Sequence, residues 1–267
     1  MPEHWILQLS GIGKGKLEEL ARMGISDILT IPGSFDLKGI PARIRKCVVN
    51  QTEYVGPDLK SKLIERQFPI HFLDFETISP AIPRYANTRP YQTLPFQWSD
   101  HILSKEGSLD HKEYLCTEDK DPREEVARAL LDTLGGDKGD ICNYANYEKK
   151  VISDLANHLP KYKDELETLA DRCWDLCATI RKNYYHPEFH GSFSLKKVLP
   201  AVVSSMSFTD LAIQEGEQAG VEYLRMIDPE TPPDEKERIH KALLEYCGQD
   251  TLGMVKIWEE LLKRYKV

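Results

Sequence analysis

Asp74 and Glu76 stand two residues apart in Phe68-Pro69-Ile70-His71-Phe72-Leu73-Asp74-Phe75-Glu76-Thr77, a run whose aromatic and β-branched content predicts a strand. Strand periodicity puts both carboxylates on one face and Leu73 and Phe75 on the other. Two acids side by side on a hydrophobic strand repel each other and resist burial. A divalent cation resolves that conflict. Two solvated acids on an edge strand are the bland alternative, which the apolar neighbours weaken. A second constellation lies in Glu245-Tyr246-Cys247-Gly248-Gln249-Asp250-Thr251. It falls within a segment from Asp234 to Tyr265 where Ile239, Leu243, Cys247, Val255, Trp258 and Leu262 recur at helical spacing. Tyr246 and Asp250, at i and i+4, share one helical face. Such a pair is common on surfaces and gains weight only beside the Asp74–Glu76 strand.

Two other groups carry ligand or contact chemistry. From Arg181-Lys182-Asn183-Tyr184-Tyr185-His186 to Lys196-Lys197, basic residues interleave with aromatics against one acid, Glu188. That composition suits a single nucleic-acid strand, with phosphates on Arg181, Lys182, Lys196 and Lys197 and a base stacked on Tyr184. A solvated loop leading into a helix from Ser194 is an even competitor. Cys173-x3-Cys177-x8-His186-x3-His190 has the ligand types of a zinc site, but the usual interval between the pairs is about 12 residues. Both cysteines fit better as small apolar residues on a helix facing a core. Asp175 reads as the end of a further strand with a supporting role. Gly11-Ile12-Gly13-Lys14-Gly15-Lys16 lacks Walker spacing, and no nucleophile elbow or dinucleotide fingerprint occurs.

The elements that must hold these residues belong to an ordinary globular chain. Its 267 residues are 41% hydrophobic and 9% aromatic, enough for a real core. A net charge of −8 excludes a coat that holds polyanions by bulk charge, though not an enzyme with local basic surface. Residues 1–66 carry ten Lys/Arg against eight Asp/Glu, so the acid excess lies downstream. No apolar run reaches the roughly 18–20 residues of a membrane span, and the first residues lack a signal-peptide pattern. Six cysteines without a CxxC suggest no disulfide framework, so a reducing, cytoplasmic setting is expected.

Residues 5–66 read as small helices, one running through Leu17, Leu20 and Met23 to a Gly24 cap. Strands follow at 67–78, Leu94–Ser99 and Tyr114–Cys116, with a hairpin turn at Lys105-Glu106-Gly107-Ser108. Then come a helix over 122–134, a short strand at 140–144 and a helix from about Asn146.

That order, β-β-β-α-β-α, resembles a ribonuclease H-like core. Asp74-Phe75-Glu76-Thr77 resembles the first motif of the DEDD exonuclease superfamily, and Tyr246-x3-Asp250 its third motif in the tyrosine variant. Asn143-Tyr144-Ala145-Asn146-Tyr147-Glu148 stands where the second motif belongs, with Glu148 in place of the usual Asp. Across 69–262 the chain is similar to an uncharacterised ribonuclease H-like family, through Pro95-Phe96-Gln97-Trp98-Ser99 and Gly191-Ser192-Phe193-Ser194-Leu195-Lys196-Lys197-Val198-Leu199-Pro200 besides those motifs. Leu9-Ser10-Gly11-Ile12-Gly13 resembles the loop of a helix–hairpin–helix module. The resemblance implies an α/β fold with a mixed five-stranded sheet flanked by helices over 67–267, and a small helix–hairpin–helix-like region over 1–66. It implies a nuclease, a 3′–5′ exonuclease, acting on single-stranded DNA or RNA with two Mg²⁺ or Mn²⁺ ions. Asp74, Glu76, Glu148 and Asp250 would be the ligands, and Tyr246 would orient the attacking water. Members often follow a RecB-like nuclease domain, which is the expected protein partner. The alternative is a catalytically weak or inactive nucleic-acid-binding domain of a larger nuclease assembly, which Glu148 favours.

Overall fold

The computed structural model describes residues 2–209 and 211–264. In chain order the elements are α1 (Lys14–Arg22), α2 (Gly39–Asn50), β1 (Tyr54–Val55), α3 (Leu59–Ile64), β2 (Ile70–Ile78), β3 (Leu94–Leu103), β4 (Leu109–Leu115) and α4 (Arg123–Leu134). They continue with β5 (Ile141–Asn143), α5 (Tyr147–His158), α6 (Lys163–Asp171), β6 (Cys173–Asp175), α7 (Leu176–Asn183), β7 (Tyr184–Tyr185), α8 (Leu195–Val202), α9 (Gly216–Met226) and α10 (Pro233–Lys263). Two compact units result: Met1–Ile64 with Cys177–Met206 and Glu259–Val267, and Glu65–Leu176 with Ser207–Trp258. The division expected after residue 66 falls beside the first boundary, while Cys177–Met206, assigned by sequence to the second domain, clusters with the first unit.

The second unit is α/β. Its mixed five-stranded sheet runs β4-β3-β2-β5-β6, antiparallel between β2, β3 and β4 and parallel from β2 through β5 to β6. A tight turn joins β3 to β4, with the Ser104 N–H donating to Ser108 O at 2.9 Å and Gly107 at φ 90°. The parallel steps need helical crossovers, supplied by α4 and then by α5 and α6. Leu73 and Phe75 of β2 pack with Trp98 against Val126 and Leu130 of α4, Ile152 and Leu155 of α5, and Leu166 and Leu169 of α6. The other face of the sheet meets α9 and α10: Phe72 lies edge-on to Trp258, and Phe96 stacks on Tyr223 at 3.8 Å. Central placement and cover on both faces explain why most of β2 is buried.

The first unit is built around helices. Leu9, Leu20, Ile28, Ile44 and Val48 are buried, as are Tyr184, Tyr185, Phe189 and Phe193. A two-stranded pairing of β1 with β7 joins Tyr54 to Tyr185 and Val55 to Tyr184. Gly191 holds φ +79°, and a Cβ there would lie 1.9 Å from Gln8 O. Gly191→Ala therefore meets both a left-handed backbone, costing roughly 1–2 kcal/mol, and a backbone clash. A fall of several degrees in melting temperature is expected, and an unchanged thermal melt would contradict this packing.

Candidate functional site

β2 delivers Asp74 and Glu76 on the face turned toward α10, as period 2 requires. Asp74 is half-buried and Glu76 buried, with the register against β3 shifting just after Glu76. The solvated-edge alternative thus fails, because β2 lies in the middle of the sheet. α10 supplies Tyr246, Cys247 and Asp250, all buried. Two contacts fix α10 on β3: Gln97 Nε2 donates to Leu243 O at 2.8 Å, and the Thr251 hydroxyl bonds the Ser99 hydroxyl at 2.9 Å. Thr251 also meets His101 Nδ1 at 2.7 Å. Each bond sits one or three residues from a site residue, so the helix cannot rotate the carboxylate of Asp250 away without breaking them.

Glu148 arrives by a different route. Ala145 and Asn146 are both left-handed, at φ 71° and 59°, and turn β5 sharply into α5. A non-glycine residue there is unusual and strained. The Ala145 N–H donates to Asp175 Oδ1 at 3.1 Å, so the end of β6 holds the turn. Glu148, in the first turn of α5, is buried and makes a side-chain hydrogen bond with Asp74. Its Oε2 is buried without a partner.

The electrostatics follow from crowding. Burial, then the charge of Glu148, pushes Asp74 well above the ordinary carboxylate range. Burial lifts Glu148 to about 8, with the Asp175 charge adding to it. Burial also raises the Tyr246 phenol, reinforced by the charges of Asp250, Glu76 and Asp74, so Tyr246 keeps its proton. The Cys247 thiol is raised well above its usual value by burial and by Asp74, Glu76 and Asp250. It stays an S–H donor, 3.6 Å from Asp74 Oδ2.

All five residues expected to do chemistry, Asp74, Glu76, Glu148, Tyr246 and Asp250, belong to the second unit and come together around Asp74. Cys247 was missed as part of the site. It read as one more apolar position of α10, although its place three residues before Asp250 puts it on the same side of the helix. Ligand atoms of Asp74, Glu76 and Cys247 lie within 4.8 Å of one another. The fit to a divalent cation rests on this spacing, on the orphaned Glu148 Oε2 and on a donor set of carboxylates.

The proposed nucleic-acid residues belong to the first unit. Arg181, Lys182 and Lys197 are exposed and Lys196 is half-buried. Tyr184 needs correction: it is 0% exposed and donates its hydroxyl to Glu53 Oε2 at 2.6 Å, so it offers no free face to a base. Arg181 is turned to packing, its guanidinium 4.8 Å from the Phe193 ring centre. The four zinc candidates divide between the units, Cys173 in the second and Cys177, His186 and His190 in the first. Cys173 lies on β6, not on a helix, and donates to Leu169 O, while Cys177 donates to Phe193 O and His186 accepts from Glu188 N. The six cysteines are free, and no helix among the described residues is long and apolar enough to cross a membrane.

Residues 71–194 match the family model described as a domain of unknown function (DUF2779). The matched segment includes Asp74, Glu76 and Glu148 and stops short of Tyr246 and Asp250. No curated protein matches the chain. No solved structure matches it either.

Proposed function

We propose that the chain is a divalent-metal-dependent nuclease of the ribonuclease H-like, DEDD type, removing nucleotides from the 3′ end of a single strand of DNA or RNA. The observation that carries this reading is the convergence of Asp74, Glu76, Glu148 and Asp250 with the protonated Tyr246, from one strand and two helices that are distant in sequence. A fold has little reason to crowd buried acids so closely unless a cation compensates them. The mixed sheet order β4-β3-β2-β5-β6 is compatible with the ribonuclease H-like arrangement. Glu148 favoured the inactive alternative, but its hydrogen bond to Asp74 supports its use as a ligand despite the extra methylene.

Asp74, Glu76, Glu148 and Asp250 would hold two Mg²⁺ or Mn²⁺ ions. Such ions supply Lewis-acid stabilisation of charge on phosphoryl oxygens. The chain's own groups do the rest. The Tyr246 phenol donates a hydrogen bond that orients a water toward phosphorus. The proton shared between Asp74 and Glu148 leaves when the site is loaded. Cys247 and the Thr251 contacts hold the α10 groups in place. The test is hydrolysis of end-labelled single-stranded DNA and RNA with Mg²⁺ or Mn²⁺. Shortening from the 3′ end is the expected result, while intact substrate with either metal would refute the reading.

A further inference from the structure

An acidic unit that cuts a polyanion must bring it in along local positive surface. The second unit carries nineteen Lys/Arg against thirty-three Asp/Glu, so its average field opposes a nucleic acid. One cleft in this unit departs from that average. It lies between the loop that follows β2 and helix α5, encloses about 410 Å³, and is lined by Arg89, Gln92, Thr93, Lys150, Asn157 and His158, among others. Tyr91, 74% exposed, stands on its wall. The only acid there, Asp154, is paired with Lys150 at 3.0 Å.

The inner end adds an independent observation. Gln92, Thr93 and Asp154 also line a small cavity that reaches Arg123. Arg123 is 2% exposed. Its Nε and Nη2 donate to Asp121 at 2.9 and 2.5 Å, and its Nη1 is buried without a partner. An orphaned guanidinium nitrogen is costly in a protein interior and leaves a charged donor open to an acceptor that enters this cavity. Amide, hydroxyl and imidazole groups beside it are the usual company of a bound phosphate.

Both walls of the cleft start at the acid cluster. The loop leaves β2 directly after Glu76-Thr77-Ile78, and α5 begins with Tyr147 and Glu148. Thr77 and Tyr147 clasp these starts together through their hydroxyls at 2.7 Å. Lys150 lies two residues along α5 from Glu148 and His158 ten, or about 3 and 15 Å at roughly 1.5 Å per residue.

We propose that this cleft is a phosphate-binding track for the single strand whose end is cut at Asp74. Arg89 and Lys150 pair with backbone phosphates, Arg123 Nη1 anchors one at the inner end, and Tyr91 stacks on a base. The assignment rests on the nuclease reading for its substrate, but not for its measurement.

The experiment measures binding of a fluorescent single-stranded 12-mer, DNA or RNA, with Ca²⁺ replacing the active metal. Arg89→Glu/Lys150→Glu is expected to weaken binding at least 10-fold. It should also flatten the plot of log affinity against log salt by about 1.4, since each lost phosphate contact to a single strand removes about 0.7. Lys105→Glu/Lys163→Glu makes the same charge change at exposed positions of the same unit outside the cleft. Its affinity should stay within about twofold of wild type. Equal losses in the two double variants, or no loss in the first, would overturn the track. So would inorganic phosphate binding that Arg89→Glu/Lys150→Glu removes while 12-mer affinity holds, because the cleft would then serve a free anion. If wild-type protein binds the 12-mer as described but cuts nothing with Mg²⁺ or Mn²⁺, the nuclease reading falls and the cleft stands.

Discussion

Asp74→Asn is expected to abolish metal-dependent hydrolysis and at the same time raise the melting temperature of the metal-free protein. The two effects have one cause. Asp74 has its pKa raised by burial and by Glu148, so its ionised form is disfavoured in the metal-free fold and the site costs stability near neutral pH. A carboxyl raised in the fold contributes its full stability below its unfolded pKa and loses that contribution as pH climbs through the folded value. Asparagine is nearly isosteric. Its amide oxygen accepts the Cys247 S–H as Asp74 Oδ2 does, and its NH₂ can donate to a carboxyl oxygen of Glu148 without repulsion. Each kcal/mol recovered is worth about 2–4 °C in a domain of this size. Activity should fall at least about 10³-fold, the scale on which one charge-stabilising group acts in catalysis. Adding Mn²⁺ should reverse the order of stability, because ligand at about 100 times its Kd stabilises wild type by roughly 2.7 kcal/mol and the variant far less. Thermal melts with and without Mn²⁺, beside a hydrolysis assay, check all three. A metal-free Asp74→Asn that melts below wild type would deny the crowding, and retained hydrolysis would remove Asp74 from the site.

How much of this was legible follows from how local each signal is. The Asp74–Glu76 face depends only on strand periodicity, and the Tyr246–Asp250 face only on a helical turn, so both could be read residue by residue. The α/β class follows from element order, while the five-strand sheet came from the family resemblance. Glu148 could be reached only through a family resemblance, because two left-handed residues that are not glycine aim it. The sequence places a strand-to-helix turn at Tyr144-Ala145-Asn146 but not the left-handed backbone within it. Tyr184 was misread for a related reason. Its exposure is set by pairing with Val55 across more than a hundred residues, and a two-residue strand leaves no periodicity to detect. The same long-range pairing draws Cys177–Met206 into the first unit. Cys247 was hidden by chemistry instead: a thiol passes for an apolar core residue until the acids around it are placed.

The second large effect lies on the other face of β2, away from the acid cluster. His71→Leu is expected to destabilise the fold by roughly 3–5 kcal/mol, the cost of stranding a buried charge. His71 is fully buried, with Nδ1 2.7 Å from Asp100 Oδ2 and Nε2 3.0 Å from Asp137 Oδ2. Asp137 is held in turn by Arg172 Nη2 at 2.7 Å. A carboxylate at each ring nitrogen favours the doubly protonated, charged form of the ring. Burial works against that charge, but Asp100 and Asp137 outweigh it and hold the pKa of His71 above the ordinary imidazole value. Its contribution is therefore complete below about 6.5 and is lost as pH rises through the raised value. Burial raises Asp100 as well, against the pull of His71, and its contribution declines with rising pH from a lower starting point, 3.8. Asp100 Oδ1 already lacks a partner, so leucine at 71 would orphan both oxygens. His71→Leu/Asp100→Leu removes the pair together and should recover most of the loss, since an apolar pair of similar volume replaces a buried ion pair at little cost. Urea unfolding from about pH 6 to pH 9 reads each part. Wild type should weaken toward the alkaline end while the double variant stays flatter. A single variant as stable as wild type, or a double variant no better than the single, would mean that His71 carries no charge in this core.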